Sequence, residues 1–111
     1  DVGKAKAASN NSHQLQAARL LALEYLGTHP VAIISDIRAF AEQERVLLEW
    51  WKPWVANVFM VCPWFEPTGV RLKATHRGAN ARKVNQYTLT EEGREALAAL
   101  LEQRRANGNG P

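Results

Sequence analysis

Arg71, Lys73, Arg77, Arg82 and Lys83 place five cationic side chains within thirteen residues, with His76 among them and no Asp or Glu between. The whole chain of 111 residues has fourteen Lys and Arg, so this short run holds more than a third of them. Guanidinium and ammonium groups clustered without carboxylates suit a polyanion, above all a phosphate backbone. A solvated loop is the ordinary alternative for such a run. Against it, the charges fall at the tip of a hairpin, from which they reach a phosphate backbone.

Enzymatic groupings are missing. His13, His29 and His76 lie far apart in sequence, without partners at metal-ligand spacing. Cys62 has no companion and falls on the apolar face of its segment, as a buried structural thiol does. No Gly-rich phosphate loop follows a strand, and no hydrolase nucleophile motif occurs. No enzyme activity, metal or cofactor is expected.

The basic run is positioned by two alternating segments. Val70-Arg-Leu-Lys-Ala74 has the period-2 pattern of a half-buried strand, and Val84-Asn-Gln-Tyr-Thr-Leu89 repeats it, slipping by one residue before Tyr87 in the manner of a bulge. Between them Gly78 and Asn80 tolerate positive φ, so the chain turns back there. Thr90 then caps a helix from Glu91 to about Arg104, its first-turn Glu91 and Glu92 suiting the positive end of the helix dipole. Ala96, Leu97, Leu100 and Leu101 are its buried stripe. Pro67-Thr-Gly69 turns the chain into the hairpin.

Tyr87-Thr-Leu-Thr-Glu-Glu-Gly-Arg-Glu-Ala-Leu97 resembles the end of the winged helix-turn-helix domain of bacterial regulators of the MarR and PadR kind, where the last wing strand runs into an L-T-x-x-G-x-x-x-L helix. The layout fits over Leu15 to Leu101. The resemblance implies a mainly α fold with a small β-hairpin (α+β), of topology α-(β)-α-α-β-β-α. It also implies that Gly93 lets the last helix pass close to its neighbours, that wing residues Arg77, Arg82 and Lys83 reach phosphates or the minor groove, and that the first and last helices form a homodimer.

The rest of the chain supplies the other elements. Residues 1–11 are small and polar and read as a flexible arm, in which Lys4 and Lys6 could touch phosphate; residues 12–105 form the domain, and 106–111 a disordered tail. Helix one should start at Ser12 and run to about Leu26, with Leu15, Ala18, Leu21, Ala22, Tyr25 and Leu26 as its core stripe, ended by Gly27 and Pro30. Val31 to Ile34 suits a small strand beside the hairpin. Ser35 should cap a second helix with Ile37, Phe40 and Ala41 inward; it stops near Gln43, or runs on to Trp51 with Leu47, Leu48 and Trp51 continuing the stripe. Pro53 to Cys62, framed by prolines, reads as a third, recognition helix with Val55, Val58, Phe59 and Cys62 on one face; a strand at Val58 to Val61 is the alternative.

That third helix is poor in base-reading side chains. Lys52 and Asn57 are its obvious polar readers, whereas the resembling families usually carry several, so the wing should dominate binding. Trp50, Trp51, Trp54 and Trp64 fall within fifteen residues. Core packing accounts for some of them. Trp50 and Trp54 would lie together on a continued helix, and an exposed aromatic pair calls for a dimer or protein interface, with Leu97 and Leu101 as further interface positions.

A net charge of +3 leans toward an anionic partner, and a lone cysteine fits a reducing compartment. No apolar run approaches the roughly 18–20 residues that span a bilayer. The chain begins at Asp1 rather than Met, as a processed or trimmed piece would, and a cytoplasmic location is expected. The expectation is a double-stranded DNA-binding protein, a transcriptional regulator or an accessory nucleoprotein of a plasmid, phage or mobile element. Lys52, Asn57, Arg71, Lys73, His76, Arg77, Asn80, Arg82 and Lys83 would carry the contacts. A winged protein-interaction module using the tryptophans is the alternative.

Overall fold

A computed structural model describes residues 2–75 and 82–108, with the backbone alone for 2–11 and 108. The described residues form three α-helices and one two-stranded antiparallel hairpin, a small α+β domain: α1 (Val2–Thr28), α2 (Ile34–Gln43), a 3-10 turn (Pro53–Asn57), β1 (Phe65–Lys73), β2 (Lys83–Leu89) and α3 (Glu91–Gly108). Among them no helix is long and apolar enough to cross a membrane.

The core forms where α1, α2, the 3-10 turn and the inner ends of the hairpin strands meet. Ala18, Leu21, Ala22 and Leu26 bury the expected stripe of α1, joined by Leu23; Ile37 and Ala41 come from α2, Val58 and Phe59 from just after the turn, and Phe65 and Leu89 from the hairpin. Phe59 ties the layers together, stacking on Tyr87 at 4.4 Å and meeting Phe65 edge-on at 5.2 Å. Tyr25 stacks on His29 and meets Phe40 of α2 edge-on; burial first, then the charge of Asp36, pushes its phenol above the ordinary 10.0.

α1 starts at Val2 rather than Ser12, so the backbone of the expected arm is helical. The segment is rich in Ala and Lys, which favour helix, and contains no proline. At the other end α3 continues past Arg104 to Gly108. α2 starts one residue before Ser35 and ends at Gln43. Ser35 is not its cap: its hydroxyl accepts the Thr75 N–H at 3.0 Å, and Asp36 accepts the Ile33 N–H at 2.9 Å. The expected small strand is a single bridge, Ala32 opposite Tyr87.

Beyond α2 the helical stripe does not exist. Arg45, at φ 59°, turns the chain out of the helix, and residues 46–49 run without regular structure. There Val46, Leu48 and Trp50 alternate inward onto the core, leaving Leu47 95% and Trp51 76% exposed. Leu47 and Trp51 are therefore not core residues. Gln14 fixes this stretch against α1, its amide donating to Glu49 Oε1 at 2.8 Å while its carbonyl accepts the Glu49 N–H at 2.7 Å.

The expected ten-residue third helix is a five-residue 3-10 turn. Its β-branched and aromatic residues Val55, Val58, Phe59 and Val61 are weak helix formers. Arg19 of α1 meanwhile donates to the carbonyls of Asn57, Val58 and Met60 at 2.7, 3.2 and 3.1 Å, a side-chain substitute for the amides of another helical turn. Val61, at φ 53°, then reverses the chain.

Both hairpin strands form, but β1 starts at Phe65, and the Pro67-Thr-Gly69 turn is instead a bulge inside it. The register breaks between Pro67, opposite Tyr87, and Arg71, opposite Asn85, with Gly69 at φ 91° taking the conformation that suits it. The slip seen in β2 thus has its irregularity on the facing strand. Thr90 caps α3 as expected, its hydroxyl accepting the Gly93 N–H at 3.0 Å.

Candidate nucleic-acid interface

The hairpin is anchored at both ends, by buried Phe65 and Leu89 at its base and by Ala74 near its tip, and its sides are left in solvent. Just past β1, the Ala74 N–H donates to the Arg82 carbonyl at 2.7 Å, while the Thr75 N–H is held by Ser35. Arg71, Lys73, Arg82 and Lys83 are all exposed. Lys73 and Lys83 stand directly opposite each other in the register, an arrangement that disfavours folding until an anion screens it. Arg71 donates to the Lys83 carbonyl at 3.2 Å, which orients its guanidinium across the strand pair. None of these four has a carboxylate within 4.0 Å among the described residues; the ion pairs there are Arg104 with Glu24 and Arg105 with Glu102, both involving α3.

A cleft of about 450 Å³ opens between this hairpin, α2 and the start of the 3-10 turn. Arg71, Arg82 and Lys83 line it from the hairpin, Lys52 from the turn and Arg38 from α2. Among the described residues lining it there is no Asp or Glu. Trp50 and Trp51 form its aromatic wall, with the Arg38 Cζ 5.7 Å from the Trp50 ring centroid, in cation–π range. Asn85 and Tyr87 add an uncharged amide and a hydroxyl to the lining.

The structure thus brings Lys52, Arg71, Arg82, Lys83 and Trp50 to one cleft, and leaves other expected residues elsewhere. Asn57 is exposed outside the cleft, with its carbonyl taken by Arg19. Lys73 lies outside it, toward the hairpin tip. His76, Arg77 and Asn80 lie outside the described residues. Trp54 is not an exposed partner of Trp50: it is only 7% exposed and packs in the core, 5.6 Å from Trp50, because the 3-10 turn directs it inward. Leu97 packs partly into the core, close to Gly27, whereas Leu101 is half exposed and so is not the buried residue its spacing suggests.

Arg38 and Trp51 were missed as site residues. Arg38 carries no signal in the sequence, since its place in the cleft depends on the tertiary path of residues 46–52. Trp51 could have been found by taking Val46, Leu48 and Trp50 as a period-2 pattern, which puts Trp51 outside.

In comparisons with protein-family models, curated proteins and solved structures, nothing matches this chain.

Proposed function

We propose that the protein binds double-stranded DNA as a winged helix-turn-helix domain, with the hairpin as its wing. The observation that carries this reading is the cleft beside the hairpin, where five cations converge without a facing carboxylate among the described residues. Phosphates supply the missing counter-charge, and release of their condensed counterions drives binding. Arg71, Lys73, Arg82 and Lys83 follow the backbone, and Lys52 adds a contact from the turn. With a five-residue turn in place of a recognition helix, affinity rests on phosphates more than on base edges. Such a protein serves as a transcriptional regulator or an accessory nucleoprotein, as a homodimer through α1 and α3.

The test is fluorescence anisotropy with a labelled random-sequence duplex across a salt series. The slope of log affinity against log salt should be about −0.9 per phosphate neutralised, and changing Arg71, Arg82 and Lys83 together to Ala should make it shallower by about 2–3 units. Absence of binding at low salt, or a slope untouched by the triple change, overturns the proposal.

A protein-interaction module is the second reading, supported by the exposure of Leu47 and Trp51 on one loop. An apolar contact there would hold its strength at high salt, where the DNA complex falls apart.

A further inference from the structure

We propose that the cleft accepts one unpaired nucleotide of a DNA strand beside the duplex, with its base stacked on Trp51 and its phosphate among Arg71, Arg82 and Lys83. The inference rests on the DNA-binding reading and names the form of DNA that fits. Three observations carry it.

The first is the combination of side chains. Cationic and aromatic side chains line the same cleft, the combination that holds single strands: charge follows the backbone while a π face takes any base. The second is the state of the two tryptophans. Trp50 is half-buried and one face is engaged by Arg38, whereas Trp51 is 76% exposed and has no ring or cation partner among the described residues. The third is size and shape. About 450 Å³ suits a small-molecule-sized unit such as one nucleotide, and the five-residue turn beside it offers no helix long enough to lie along a major groove. A π face takes any base, so the base is held mainly by stacking on Trp51, with Asn85 and the Tyr87 hydroxyl as neutral hydrogen-bonding groups in the lining.

Three labelled probes test this in anisotropy at fixed salt: a blunt duplex, the same duplex with a single-stranded tail, and that duplex with a tail of abasic sugars. The abasic tail has the same phosphates and lacks the bases, so it separates stacking from charge. The base-bearing tail should bind about tenfold tighter than the abasic one, the gain from one stacked base. Trp51→Ala should bring that ratio close to one, and Trp51→Tyr, which keeps a ring, should restore most of it; circular dichroism verifies that both variants are folded. Equal binding of the base-bearing and abasic tails, or a ratio that survives Trp51→Ala, overturns this inference. If the blunt duplex still binds with a steep salt slope, the double-stranded reading stands without it; if no probe binds, both fall.

Discussion

A methyl group at Gly93 would come to 2.1 Å from the Trp64 carbonyl oxygen. That carbonyl cannot easily withdraw, because it accepts the Thr90 N–H at 2.9 Å while the Thr90 hydroxyl holds the neighbouring Pro63 carbonyl. Replacing Gly by Ala inside a helix is usually favourable by about 1 kcal/mol. Here overpacking, which costs about 1–3 kcal/mol and lies at the upper end against fixed backbone, exceeds that gain. Gly93→Ala should therefore destabilise by about 2 kcal/mol and lower Tm by about 10 °C in a thermal melt. An unchanged or raised Tm would show that the two segments are not held at this separation. Gly93 was legible in sequence because it belongs to a local pattern. Arg38 was not, since its neighbours come from a loop whose path no local pattern sets.

The same division holds between elements. The hairpin strands, the inward stripe of α1 and the Thr90 cap of α3 follow from periodicity and capping chemistry, both short-range. The turn at Pro53 does not. Prolines at 53 and 63 frame a helix-sized window, but what occupies it is decided by Arg19, about forty residues earlier in the chain. Its guanidinium takes carbonyls that helix amides would otherwise have used. Arg19→Met keeps the apolar stem and removes the donors. Hydrogen bonds from a charged donor contribute about 1.5–3 kcal/mol when sheltered, and two of these three are exposed, so the total loss should be about 2 kcal/mol. Urea denaturation should show that loss, and hydrogen exchange should quicken selectively in residues 57–61. Exchange that rises evenly over the whole chain, or not at all, would mean that the turn holds its shape without Arg19.

At the scale of the whole molecule, the acidic start of α3 is set apart from the cleft. Five cations line the cleft with no carboxylate among its described lining residues, while Glu91, Glu92 and Glu95, with Arg94 between them, open α3, beyond the far end of β2 from Lys83. At about 3.3 Å per residue that strand is about 20 Å long, well over the roughly 10 Å screening length of 0.1 M salt. Charges on α3 therefore add little to the field at the cleft, and this separates direct contact from bulk attraction. Changing Glu91 and Glu92 together to Lys adds four charges to a net +3 without touching any residue that lines the cleft. If net charge drove binding, this variant would outbind the natural chain by as much as the hairpin triple variant underbinds it. If contacts drive it, the salt slope should stay within about one unit of the natural value, since each slope unit corresponds to about one phosphate engaged. The same variant should lose about 1 kcal/mol of stability, because lysines replace glutamates at the positive end of a helix dipole. Measuring the slope and the unfolding midpoint on one preparation checks both. A slope steepened by three or more units would show that α3 itself meets the DNA, and would move the interface from the cleft to the opposite end of the hairpin.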